Sequence, residues 1–243
     1  MRSIKLIHSI KAVLFLCAIF LSQAAVAEVL WVPAVGVNMK SLEFDRSFDP
    51  STTEATFIMA DLTITAAFDD FYVQLNTNQP FSDEKTSDSI GEVVVERDDI
   101  TLTVGCNCFF IEKLTLFVGY NAGTTVVSGA VPGASFEESY KDSGFFVGGS
   151  YPLFSTDEGG LTAALAYAKL DGTVHIKDEI TSSNATFDGD TSGLSYGLTW
   201  TGGLTDSMNY SVSMKQQVYV FDTGLFAVDQ NYTNISVSVT FFF

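Results

Sequence analysis

The chain has 243 residues, with 12 basic and 29 acidic side chains and a formal charge of −17. That balance excludes a surface built to hold a nucleic-acid backbone, which needs concentrated positive charge. Hydrophobic residues make up 47%, with 21 Phe and 9 Tyr, yet beyond residue 27 no apolar run reaches the length of a membrane-spanning helix. Apolar content without such a run is what alternating strands produce.

Arg2, Lys5 and Lys11 give the N-terminus a positive start with no acidic residue, followed by the apolar run Ala12 to Leu21 and the small residues Ala25-Val-Ala27. This pattern predicts a secretory signal peptide over residues 1–27, too short to serve as an anchor. Cys17 falls inside the apolar run, and Leu16 before it is too large for the small residue that lipid attachment there requires. The remaining domain, 28–243, carries nine basic against 29 acidic residues, a charge of about −20.

Ten segments of that domain alternate with period two, as strands do. In the first, Val29 to Lys40, Trp31, Val35 and Val37 share one face and Gly36, Asn38 and Lys40 the other. The second, Ala55 to Ala67, sets Ile58, Leu62 and Ile64 against Phe57, Asp61 and Thr63; a short turn at Asp69-Asp70 leads to the third, with Val73 and Leu75 opposite Gln74 and Asn76. The fourth opposes Ile100, Leu102 and Val104 to Arg97, Asp99 and Thr101, and the fifth opposes Leu116, Val118 and Tyr120 to Phe117 and Gly119. Phe145 and Val147 against Phe146 and Gly148 mark the sixth; alanines leave the faces of the seventh, from Leu161 to about Val174, undetermined. The eighth runs through Leu194, Tyr196, Leu198 and Trp200, and the ninth places Val212, Met214 and Val218 opposite Ser213, Lys215 and Gln217. In the tenth, Ile235, Val237, Val239, Phe241 and Phe243 make one wholly apolar face, and Ser236, Ser238, Thr240 and Phe242 make the other.

Long acidic connections, including 80–92, 128–143 and 176–190, alternate with short turns along this series. An even strand count, alternating loop lengths and an apolar face backed by a polar one predict an all-β fold: a closed, antiparallel, up-and-down transmembrane barrel of ten strands. Lipid cannot satisfy backbone N–H and C=O groups, so the terminal strand should close on the Val29 to Lys40 strand. Trp31, Phe71, Phe241 and Phe243 are expected at one membrane boundary, with Tyr120, Tyr167 and Tyr232 at the other.

The run Ile235, Val237, Val239, Phe241 and Phe243 resembles the C-terminal signal strand of bacterial outer-membrane barrels, including OmpA-like and porin-like domains. Leu102-Thr-Val-Gly-Cys106 with Lys113-Leu-Thr-Leu-Phe-Val-Gly-Tyr120 is similar to a hairpin of small proteobacterial members, although Cys106 stands where that pattern has Tyr. The resemblance implies a Gram-negative outer-membrane location with both termini periplasmic. It also implies recognition of the last strand by the barrel-assembly machinery, and contact with membrane lipid and lipopolysaccharide. It implies no single activity, and no residue pattern names a partner outside the cell.

A mid-strand charge facing lipid would cost about 2–4 kcal/mol, so Asp61 and Lys215 are expected to face the lumen. An interior polar network is expected from Asp61, Lys215, Gln74, Asn76 and Gln217, with Arg97, Asp99 and Lys40 nearer the outer mouth. Phe57, Phe117, Phe146 and Phe242 point inward as well, which favours a mostly filled lumen. Cys106 and Cys108 could form a disulfide across a turn. His175 is the one histidine of the 28–243 domain, which removes multi-histidine metal sites, and the acidic runs lack EF-hand spacing. No metal or cofactor is expected. The functional reading is a structural, envelope-integrity or surface-interaction role. The alternatives are a narrow porin-like channel and, from another class, a hydrolase or lipid-modifying enzyme using His175; a secreted water-soluble β protein is the competing fold.

Overall fold

The computed structural model describes residues 29–47, 52–88, 91–107, 111–131, 134–178 and 183–242. The expected signal peptide, Cys108 and Phe243 lie outside them. Eleven strands account for nearly all of the described chain: β1 (Leu30–Arg46), β2 (Thr52–Phe68), β3 (Phe71–Pro80), β4 (Glu84–Asp88), β5 (Gly91–Asn107), β6 (Thr115–Val131), β7 (Ala134–Thr156), β8 (Gly159–Asp178), β9 (Ser183–Thr205), β10 (Met208–Asp222) and β11 (Ala227–Phe241). β3 and the short β4 both pair with β5 and occupy one position in the wall, so the barrel has ten staves.

Each stave pairs antiparallel with its chain neighbours, and β1 closes on β11 from Ala34↔Thr240 to Arg46↔Val228. The β1–β11 seam closes the wall, while in the far half the Thr52–Ile58 part of β2 and the short β4 are each registered with a neighbour on one side only. Short turns such as Asp69-Asp70, Asp157-Glu158 and Asp206-Ser207 lie at the same end as the start of β1 and the finish of β11, called here the turn end.

Outward-facing residues of the turn-end half are apolar and exposed: Val35 and Val37 on β1, Leu62 on β2, Val147 on β7, Leu165 on β8 and Val237 on β11. Inward residues of this half are mostly small or polar, among them Gly36, Asp61, Ser236 and Ser238, with Phe117 and Phe146 as inward aromatics in edge contact. The phase of alternation then holds while its chemistry reverses. On β1 the outward series Val35, Val37, Met39 passes into Ser41, Glu43 and Asp45, and the inward series Gly36, Asn38, Lys40 passes into Leu42 and Phe44, which are fully buried. β5 reverses in the same way, from Leu102 and Ile100 to Asp98 and Glu96 outside, and from Thr103 and Thr101 to Val95 and Val93 inside. One half of the barrel is therefore inside-polar, and the other is inside-apolar with an acidic exterior.

This reversal corrects the reading of the acidic segments. Residues 128–143 and 176–190 are mostly strand, continuing β6 into β7 and β8 into β9 well past the apolar belt. Their outward charges look like loop sequence, while their inward residues, Phe136, Tyr140, Val174 and Ile176, build a core. That core, with Phe44, Phe57, Tyr219, Phe221 and Tyr232, fills the far end of the barrel. The filling is thus apolar there, where a polar lumen was expected.

Tyr232 also departs from its expected place at a membrane boundary. It is buried inside the lumen, because it lies an odd number of residues from the outward Ile235 and Val237. Tyr167, by contrast, is exposed on the outer face.

Candidate functional site

Charged side chains meet inside the barrel at the level where the chemistry reverses. Lys40 on β1 reaches across the lumen to Asp99 on β5, and these staves are not neighbours in the sheet. Arg97, two residues from Asp99 on the same inward face, holds the same carboxylate with two nitrogens, Nη2 to Oδ1 at 2.6 Å and Nε to Oδ2 at 3.0 Å. Its Nη1 donates to the Tyr232 hydroxyl at 3.1 Å, and its guanidinium carbon lies 4.4 Å from the Tyr232 ring centre. Tyr232 in turn donates to Gln230 Oε1 at 2.7 Å. All three charged groups are buried, so the cluster depends on each donor finding an acceptor.

Gly123 on β6 makes room for this arrangement. It is paired with Asp99, and a Cβ there would approach Asp99 Oδ1 to 2.7 Å. From β7, Asp142 accepts a hydrogen bond from the Thr191 hydroxyl at 2.6 Å. Asp142 lies in the part of β7 beyond the apolar belt, and burial holds its carboxyl above the ordinary range against the opposing pull of Thr191 and Arg97.

Nearer the far mouth, Arg46 forms a second cluster. It donates to Thr53 Oγ1 at 2.8 Å, to the Tyr140 hydroxyl at 3.2 Å and to Glu138 at 3.0 Å. The Tyr140 ring stacks on Phe44, with centroids 5.1 Å apart, so this ion pair lies over the apolar filling. Burial, followed by the Glu138 charge, pushes the Tyr140 hydroxyl above its ordinary pKa.

The expected interior network is divided among several groups. Asp61 accepts from Asn76 Nδ2 at 2.6 Å; Asn76 Oδ1 accepts from Asn78 at 2.8 Å, and Asn78 Oδ1 accepts from Asn38. This amide chain runs across β2, β3 and β1 and ends on the Asp61 carboxyl oxygen, which accepts from Asn76. Gln74 instead donates to Thr65, and Gln217 to the Tyr219 hydroxyl at 2.8 Å. Lys215 faces inward but is exposed to the lumen, and among the described residues it has no hydrogen bond or ion pair. Asp61 and Lys215 therefore belong to different groups. Asn38, Asn78 and Tyr232 were not singled out from the sequence as members of the interior network; their even spacing along the inward faces was the available signal.

The remaining sequence candidates lie elsewhere. Ile235, Val237, Val239 and Phe241 form the outward face of β11 as expected. Cys106 is the penultimate residue of β5, at the turn end, paired with Phe71 and Leu116. His175 faces outward on β8, where Nδ1 is 2.9 Å from Thr186 Oγ1 on the exposed wall, away from the lumen. Among the described residues, no group of three or more His, Cys, Asp or Glu side chains is arranged to hold a metal ion.

No protein-family model matches the sequence, and no curated protein is similar to it. Solved structures are similar in shape. The outer-membrane protease OmpT of Escherichia coli aligns with 88% of this chain and 96% of its own, at a TM-score of 0.65 and 8% identity. The translocator domain of the autotransporter NalP of Neisseria meningitidis aligns with 97% and 96%, at a TM-score of 0.54 and 12% identity. At such identities the likeness speaks for the fold: a closed, ten-stranded, antiparallel barrel of the kind found in outer-membrane proteins.

Proposed function

We propose that this chain is a structural or surface-interaction barrel of a Gram-negative outer membrane. Its turn end faces the periplasm, and its far half projects outside the bilayer. The apolar outer belt supports membrane insertion, because an exposed apolar band of this extent is unfavourable in water and matches the lipid-facing surface of a barrel. The charged exterior and apolar interior of the far half suit a segment standing in water. In this reading residues 1–27 are removed on export, and the alternating apolar series Ile235, Val237, Val239, Phe241 and Phe243 of the sequence is what the barrel-assembly machinery reads. The acidic exterior beyond the belt lies at the height of lipopolysaccharide headgroups.

A projecting half closed by its own side chains favours action through the outer surface over conduction of solutes. The carrying observation is the far-end filling, in which Phe44, Phe57, Phe221 and Tyr232 are all at most 2% exposed. Single-channel recording in planar bilayers tests it. The purified barrel is expected to give no steady open level; a stable conductance in the unmodified protein would overturn the reading and restore the narrow channel.

A further inference from the structure

Beyond the apolar belt, the first charged residue on the outward face of most staves is acidic: Glu43 on β1, Glu54 on β2, Asp98 on β5, Asp190 on β9, Asp222 on β10 and Asp229 on β11. β7 and β8 depart from this. There the first outward charge is a lysine, Lys141 on β7 and Lys169 on β8, and both are exposed. Lys169 follows the belt residue Tyr167 and is paired with Phe145; Lys141 lies two outward steps beyond Phe145, with Ser143 between them. Neither lysine makes a hydrogen bond or ion pair among the described residues, although Asp171, paired with Ser143, stands on β8 between them.

The wall beside Lys141 is hollow. The outward residues Ala122 and Thr124 on β6 and Ser143 on β7 are small, and with Thr77, Ile100 and Lys141 they line a depression of about 450 Å3 in the outer surface. Asp98 stands on the side opposite Lys141, with Thr124 between the two in register. One outward step nearer the turn end, Tyr120 and Phe145 meet edge to face on the belt, with ring centres 5.3 Å apart. Lysines at a membrane boundary rest their stems on the apolar surface and hold their ammonium groups at headgroup height. An anionic headgroup at that height is repelled by the acidic sectors and attracted at β7 and β8.

We propose that this sector, from β5 to β8, is a binding site for a membrane lipid whose phosphate is not balanced by a cation of its own, an inference that rests on the membrane reading above. The phosphate sits between the ammonium groups of Lys141 and Lys169. Headgroup hydroxyls enter the depression at Thr124 and Ser143, and the acyl chains run down the wall over Tyr120, Phe145 and Val147. A zwitterionic lipid already carries a cation beside its phosphate and gains less from the two lysines. A soluble phosphate lacks the chains that hold the lipid against the belt.

The test is native mass spectrometry of the folded barrel in detergent, titrated with dioleoyl phosphatidylglycerol or with dioleoyl phosphatidylcholine. Phosphatidylglycerol should be retained at a concentration at least tenfold below that needed for phosphatidylcholine, and excess inorganic phosphate should not displace it. Replacing both lysines, Lys141→Gln with Lys169→Gln, should remove the preference, while Lys85→Gln, on β4 and already paired with Glu92, should leave it intact. Both lysines are exposed, so neither replacement removes packing, and unheated gel mobility reports the fold. As a second measurement independent of any variant, the resonances of isotope-labelled, methylated Lys141 and Lys169 should shift on titration with phosphatidylglycerol. The proposal is overturned if the two lipids are retained alike, if the double variant keeps the preference, if inorganic phosphate displaces the lipid, or if neither lysine resonance moves. A barrel that does not insert into phosphatidylcholine vesicles would overturn the membrane reading itself, and this proposal with it.

Discussion

Gly123 on β6 and Asp99 on β5 face each other across a registered pair, and the glycine's missing side chain is the space that the carboxylate occupies. Any side chain at 123 displaces Asp99 from Arg97 and Lys40. Gly123→Val should therefore destabilise the barrel by about 3–5 kcal/mol, the range for separating a buried ion pair. Urea-induced unfolding in lipid vesicles measures this. Asp99→Ala should cost a similar amount, and the double variant little more than either single one, since both break one cluster.

Phe44 tests the far-end filling. It is fully buried between Tyr140 and Tyr232, and Phe44→Ala should cost about 3–5 kcal/mol. Combined with Phe57→Ala it should also let ions pass. A steady conductance in the double variant, absent from the parent, is the expected record in planar bilayers.

Asp142 gives the pH dependence. The fold favours its protonated form, so the native state keeps that proton to higher pH than the unfolded chain does. Its stabilising share is present below the ordinary carboxylate range and is lost as pH rises through the raised native value. Asp142→Asn, which can still accept from Thr191, should match the parent near pH 3 and become the more stable of the two as pH approaches 7. Unfolding midpoints across that range decide it; a constant difference would contradict the assignment.

Val237 and Asp229 share the outward face of β11, one within the apolar belt and one beyond it. Val237→Arg should cost about 2–4 kcal/mol in a bilayer, and Asp229→Arg about 0.5 kcal/mol or less. Equal costs at the two positions would place the membrane elsewhere.

The parity of the inward and outward faces was legible in the sequence because the strand period is two and the belt residues are bulky. Pairing of the last stave with the first followed from the need to close the sheet. The extent of the staves was not legible. Glu43 and Glu137 read as loop residues, although they are the solvent face of strands whose other side carries Phe44 and Phe136. Lys40, Arg97 and Asp99 could be named as lumen charges, but not joined. The Lys40–Asp99 contact spans 59 residues and crosses the barrel between staves that are not hydrogen-bonded, a distance that local pattern does not encode.

The seam between β1 and β11 ties together the two extremes of the described chain, with Ala34 opposite Thr240. The contact of greatest sequence separation is therefore also the one that completes the wall. Until the last stave has been delivered, Leu30–Arg46 has an open flank, and no shortened cylinder can be made by stopping early. Closure of the wall waits on Ala227–Phe241, however early the other staves are in place.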